Sequence, residues 1–192
     1  MKTVIRNATI VNEHIQQIGD VLIVDERIEK IAPSIGVDKR EQINEINAEG
    51  LYLIPGMIDD QVHFRDPGLT WKADLHSETM AALAGGITSF MDMPNTIPNV
   101  LTQKLLEDKY QEAAMKSVAN YSFFMGISKG NLEEALRTNS ENVCGITDDG
   151  LYFNNEEGIL ANYPSFLEKL FSRSETLIAL HSEDDETIKK NT

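Results

Sequence analysis

From Met57 onward, short apolar runs alternate with stretches of helical periodicity, and polar residues collect at the C-terminal ends of the apolar runs. Met57 to Phe64 reads as a strand, Trp71 to Ala84 as a helix closed by Gly85-Gly86, and Thr88 to Met93 as a strand. A helical stretch from Leu101 to about Val118 follows, then strands over Tyr121 to Ile127, Val143 to Thr147 and Thr176 to His181. Between them Asn131 can cap a short helix with Leu132, Ala135 and Leu136 on one face. Ile159, Leu160, Tyr163, Phe166, Leu167, Leu170 and Phe171 recur at helical spacing, and Pro164 divides them into two pieces. Glu183 to Lys190 can open a further helix. Such alternation with short connections requires parallel strands and right-handed crossovers, so the fold class is α/β.

Two architectures satisfy that rule, a doubly wound open sheet and a (β/α)₈ barrel of the TIM type. The open sheet would carry a Gly-rich phosphate turn after its first strand, and none is present. Gln61/His63, Asp92/Asn95, Asp148/Asp149 and His181/Glu183 instead load four strand ends with polar groups. In a barrel those ends converge on one face, where barrel enzymes carry their chemistry. The barrel is the better reading. A complete one takes about 250 residues, whereas only about 135 follow Pro55-Gly56. The expectation is a partial barrel of about five strands over 56–192, the front portion of a longer protein.

Residues 1–55 read as β. Val4, Ile5, Ala8, Ile10 and Val11 form one run, Val21 to Val24 with Ile28 and Ile31 a second, and Ile43 to Ile54 a third that ends at Pro55-Gly56. Composition narrows the partners. With 17 Lys+Arg against 31 Asp+Glu the formal charge is −14, and phosphate contact wants clustered cations that this chain lacks, so neither nucleic acid nor an anionic membrane is expected. The run Leu51 to Ile58 is far too short to span a bilayer. A single Cys144 excludes an internal disulfide and suits a reducing cytoplasm.

Gln61 and His63 stand at i and i+2, hence on the same face of one strand. Two imidazoles there would pinch a metal ion; an amide oxygen is a harder, neutral and weaker zinc ligand. His63 alone would be an ordinary hydrogen-bonded histidine, and Asp148-Asp149-Gly150 alone an ordinary turn. Together with His181 they supply two His and a carboxylate, the donor pattern of a hydrolytic zinc with an open position. His14 and His76 are read as structural.

The stretch from Pro55 to Gly68 resembles the metal-binding strand of dihydroorotases, in the amidohydrolase superfamily. Ala81 to Thr88 with Met93-Pro94-Asn95-Thr96, and Ile178 to Asp184, resemble later segments of the same family. The resemblance covers essentially the whole chain and implies that 1–55 contributes to a small β-sandwich. It implies a zinc-dependent cyclic amide hydrolase of pyrimidine biosynthesis, interconverting dihydroorotate and N-carbamoyl-L-aspartate. His63, Asp149 and His181 would hold the metal, with Gln61 a weak addition, and one zinc is expected rather than two. Arg65 and Asn95 would bind the substrate carboxylate, a task suited to a guanidinium fork. No catalytic residue is assigned, because the proton-shuttling Asp of the family is expected beyond residue 192. The chain alone is therefore expected to be feeble or inactive. Family members are often dimers, so a homodimer is an expectation of the resemblance.

The sequence departs from the family at Gln61, where a first His is usual, and at Thr147, where many members carry a carbamylated Lys. Those departures keep a second reading open, a non-catalytic scaffold, for instance for a transcarbamoylase partner. A third is a dihydropyrimidinase or allantoinase relative, against which Arg65 and Asn95 speak.

Overall fold

The computed structural model describes residues 1–38, 40–151 and 160–192, in two compact units, Met1–Pro55 and Gly56–Thr192. In the first, β1 (Lys2–Asn12) and β2 (Ile15–Val24) form an antiparallel hairpin. Its two turn residues, Glu13 and His14, both have positive φ (48° and 64°), the backbone twist that a tight hairpin requires. β3 (Arg27–Ala32) pairs antiparallel with β2, while β4 (Ile43–Asn47) and β5 (Tyr52–Leu53) pair parallel with β1. The run from Ile43 to Ile54 is thus two strands. A turn breaks it, closed by Leu51 N–H on the Ala48 carbonyl at 3.0 Å, and Gly50 takes the left-handed φ of +79° that only glycine adopts freely. Ala8, Ile10, Val21 and Ala48 form the small core.

The second unit runs β6 (Met57–Val62), α1 (Leu75–Ala84), β7 (Ile87–Asp92), α2 (Gln103–Lys116), β8 (Asn120–Gly126) and α3 (Leu132–Ala135). It continues through β9 (Gly145–Thr147), a 3₁₀ turn (Leu160–Asn162), α4 (Pro164–Arg173), β10 (Ile178–Ala179) and α5 (Asp185–Asn191). The five strands form one parallel sheet in chain order, β6-β7-β8-β9-β10. A doubly wound sheet reverses its order at a switch point. Here there is no reversal, so this is the strand succession of a partial TIM-type barrel. Phe64, Leu75, Phe90, Phe123, Met125, Ile146 and Leu170 fill the space between sheet and helices. Rings are in contact, with Phe64 4.7 Å from Phe90 and Tyr110 4.8 Å from Phe123.

Caps explain where helices begin. α1 starts at Leu75 rather than near Trp71, because Asp74 Oδ1 accepts the N–H groups of His76 and Ser77, each at 3.0 Å. Asn131 precedes α3 without capping it: its Oδ1 accepts Ser128 N–H at 2.7 Å and its amide donates to the Leu101 and Gly126 carbonyls, both at 2.9 Å. That side chain ties loops together, a use that helical periodicity does not reveal. Pro164 is the first residue of α4, where its missing N–H costs nothing; Ile159 lies outside the described residues. Among the described residues no helix is long and apolar enough to cross a membrane.

Candidate active site

The polar residues at and just beyond the C-terminal ends of the strands meet. Gln61 lies on β6, and His63 and Arg65 lie in the loop after it. Asn95 follows β7, Asp148 and Asp149 follow β9, and His181 follows β10. Gln61, Thr147, Asp149 and His181, together with Asp60 and Met93, line a cavity of about 160 Å³.

Asp149 is the hub. His63 Nε2 is 3.3 Å from its Oδ2 and His181 Nδ1 is 3.5 Å from its Oδ1. The Gln61 amide nitrogen donates to Oδ2 at 2.8 Å. The loop is set from below by Thr147 Oγ1, which accepts the Asp149 N–H at 3.0 Å. The hydrogen bond from His63, with further help from Gln61 and the charge of both imidazoles, holds the Asp149 carboxyl down at about 2. The same contact raises His63 above the ordinary histidine value.

The neighbouring carboxylate does something else. Asp148 is 2 % exposed, and its oxygens accept the backbone N–H groups of His181 at 2.9 Å and Leu160 at 3.1 Å. Burial pushes its pKa upward. Asp148 therefore fixes the backbone at the end of β10, and Asp149 faces the imidazoles.

Asn95 Oδ1 lies 3.0 Å from His63 Nδ1. Asn95 is buried, and its Nδ2 has no hydrogen-bond partner among the described residues. Gly150 keeps that amide in place: a Cβ there would come within 2.1 Å of Nδ2, and the φ of +72° disfavours any other residue. The Arg65 guanidinium pairs with no carboxylate among the described residues. On its C-terminal side, the next two carboxylates in sequence are engaged elsewhere, Asp66 with Lys116 and Asp74 with the start of α1. His76 binds the Lys116 carbonyl at 3.2 Å, well apart from this group in the contacts it makes.

The structure adds three residues to those singled out for chemistry. Glu183 Oε2 sits 3.1 Å from His181 Nε2, so the ring is held between two carboxylates. Asp92 and Lys109 form a fully buried ion pair beneath the loops. Glu183 and Asp92 had been visible only as polar residues at strand ends. Lys109 left a clearer signal, a cation in register with the buried face of α2 formed by Leu106 and Ala113.

The family described as the amidohydrolase family matches residues 52–192. The chain is 34% identical over 174 residues to a dihydroorotase of Streptococcus pneumoniae serotype 4, a match covering 88% of this chain and 39% of that protein. It is 33% identical over 185 residues to a dihydroorotase of Methanosarcina acetivorans, covering 94% and 38%. The chain thus spans about two fifths of the length of these curated relatives. Among solved structures, a D-hydantoinase superposes with a TM-score of 0.78 at 26% identity, over 99% of this chain and 42% of the other. The dihydropyrimidinase from Brevibacillus agri NCHU1002 gives 0.75 at 26% identity, over 99% and 42%.

Proposed function

Because the chain belongs to the amidohydrolase family, we propose that its strand-end site serves the hydrolysis of a cyclic amide bearing a carboxylate, the interconversion of dihydroorotate and N-carbamoyl-L-aspartate. The observation that carries this reading is the meeting of His63 and His181 on the two oxygens of Asp149. Residues 56–192 are read as the first part of a metal-dependent barrel, and 1–55 as part of a β-sandwich. Pyrimidine biosynthesis, a cytoplasmic setting and a homodimer belong to the same proposal.

Two imidazoles and a carboxylate are a zinc donor set. Zinc bonds of 2.0–2.2 Å at a tetrahedral angle leave donors about 3.4 Å apart, and each imidazole stands at 3.3 or 3.5 Å from a carboxylate oxygen. As described, the groups touch one another in pairs, and no three His, Cys, Asp or Glu residues among the described ones form a ready cage. His63, Asp149 and His181 would hold one zinc by opening those pairs. Gln61 would add an oxygen only after turning its amide, because its nitrogen now faces Asp149. When bound, the ion supplies Lewis-acid polarisation of the ring carbonyl and acidifies water.

The chain's own residues do the rest. Asn95 Oδ1 is placed to accept the Nδ1–H of His63, which would leave Nε2 of the neutral ring for the ion once its pairing with Asp149 opens. Glu183 and Asp149 fix the plane of the His181 ring from opposite nitrogens. Among the described residues Arg65 pairs with no carboxylate and the buried Nδ2 of Asn95 has no partner, and both are suited to a substrate carboxylate. That anion preference favours a carboxylate-bearing ring such as dihydroorotate over an uncharged cyclic amide.

The test is zinc per chain by elemental analysis, with dihydroorotate binding measured by calorimetry. One zinc is expected, and His63→Ala should abolish it while the chain stays folded. A second reading, a non-catalytic scaffold, is favoured by the Gln61 amide, which satisfies Asp149 without any ion. A folded chain that takes up no zinc, and whose assembly ignores His63→Ala, would establish the scaffold and end the hydrolase reading.

A further inference from the structure

We propose that α2 is a positioning element for Arg65, acting through the buried Lys109–Asp92 pair and the Lys116–Asp66 pair. The inference rests on the carboxylate-binding role given to Arg65 above. Lys109 and Lys116 are seven residues apart, two turns on one face of α2. Each meets a carboxylate that is at most 1 % exposed. Lys109 Nζ lies 2.8 Å from Asp92 Oδ2, paired by charge rather than by an aligned hydrogen bond, and donates to the Met93 carbonyl at 2.9 Å. Lys116 Nζ lies 2.9 Å from Asp66 Oδ2.

Both carboxylates then turn to the loop after β6. The free oxygen of Asp92, Oδ1, accepts the Phe64 N–H at 3.0 Å. Asp66 Oδ2 accepts the Leu75 N–H at 3.2 Å, anchoring the far end of the loop to α1. Arg65 is flanked by those two anchors and has a left-handed φ of 57°. A non-glycine residue stays in that region only where its surroundings over-determine it. Here the restraints are the Asp92 bond on one side, the Asp66 anchors on the other, and Leu69 N–H on the Arg65 carbonyl at 3.0 Å. The Phe64 ring, buried against Phe90 at 4.7 Å, takes the remaining freedom. Lys109 holds Met93 by its carbonyl, two residues before Asn95, so one cation restrains both halves of the carboxylate subsite.

Removing one partner would strand a buried charge, so the test uses two charge-neutral double variants. Asp92→Asn with Lys109→Met keeps an acceptor for Phe64 N–H, and Asp92→Leu with Lys109→Met removes it. Hydrogen exchange at the Phe64 amide reads the clamp without any ligand. Against the unaltered chain, protection should fall in the first variant, where the acceptor stays but the link to α2 is lost, and at least tenfold further in the second. Protection in the first equal to that of the unaltered chain overturns the proposal. With zinc loaded, dihydroorotate should bind at least tenfold more weakly to the second variant than to the first at equal folded fraction. Equal protection or equal affinity in the two overturns the proposal. If the leucine variant does not fold, the unaltered chain still decides: a Phe64 amide exchanging as fast as an open loop overturns it. Differing protection in a chain that never binds dihydroorotate would keep the backbone clamp and remove the functional reading.

Discussion

Two buried carboxylates, one in each unit, are both held ionised, and they are held by different kinds of donor. Asp20 in β2 accepts Asn7 N–H at 3.0 Å, Ile35 N–H at 2.9 Å and Arg6 Nη1 at 2.8 Å. The Asn7 backbone bond is the chief reason its pKa is lowered. Asp149 is held at about 2 chiefly by His63. Backbone N–H groups cannot swing aside, and Arg6 stays charged at any working pH. Imidazoles and an amide can turn, lose a proton or take another partner. A depressed carboxylate is thus no mark of function by itself; the exchangeability of its donors is what separates a staple from a site.

The largest expected effect sharpens that contrast. Asp149→Ala should weaken zinc binding by more than about 100-fold, since even partners outside the ligand shell are worth 10–100-fold. Its cost in unfolding free energy should be only about 1 kcal/mol, because its donors can find water. Asp20→Ala should do the reverse, costing about 3 kcal/mol by leaving Arg6 and two amides without their acceptor, with zinc per folded chain unchanged. Chemical denaturation and elemental analysis on both variants decide it. A loss of zinc in the Asp20 variant at full folding would erase the distinction.

The same contrast shows what the amino-acid order discloses. Strand–helix alternation and polar strand ends are one-dimensional signals, so β6 to β10 and their parallel order could be read from the chain. The residues at the hub could be read too, because Gln61, His63, Asn95, Asp149 and His181 are conspicuous where apolar runs end. What the hub residues do to one another was not legible. Nothing in Asp148-Asp149 says that the first oxygen pair binds backbone and the second faces imidazoles, because that depends on a turn set by Thr147 and on the end of β10. The direction of the Gln61 amide and the partner of Lys109 likewise depend on elements 88 and 17 residues away in sequence. The break at Gly50 was hidden by a run that stays apolar enough on either side to pass for one strand.

A smaller effect comes from adding a donor to the exchangeable set. Gln61→His places a second imidazole two residues from His63 on the same face of β6. Imidazole is the better zinc ligand, so zinc affinity should rise about tenfold, measured by competition with a chelator of known affinity. Asp20 has no such position to improve. An unchanged affinity would mean that the Gln61 side chain cannot reach the ion, and that Asp149 is met from β6 by His63 alone.

The smallest effect is in the pH dependence of the metal-free chain. His63 is raised in the folded state, so its pairing with Asp149 contributes fully below the unfolded histidine value near 6.5 and is lost as pH rises through the higher folded value. Asp149 and Asp20 are lowered, so their contributions are present above the unfolded carboxylate value near 3.9 and are lost only on acidification. Stability in chelator should therefore be greatest between about pH 4 and 6.5 and decline above it. The decline should be shallow, because the His63 side chain is 32% exposed and solvent screens the pair. Zinc uptake should rise over the same interval, since the metal takes only the neutral ring. Thermal unfolding from pH 5 to 9, beside a His63→Gln control that lacks the decline, measures this. If both proteins fall equally, the slope has another source and the exchangeable character assigned to the Asp149 donors loses its thermodynamic support.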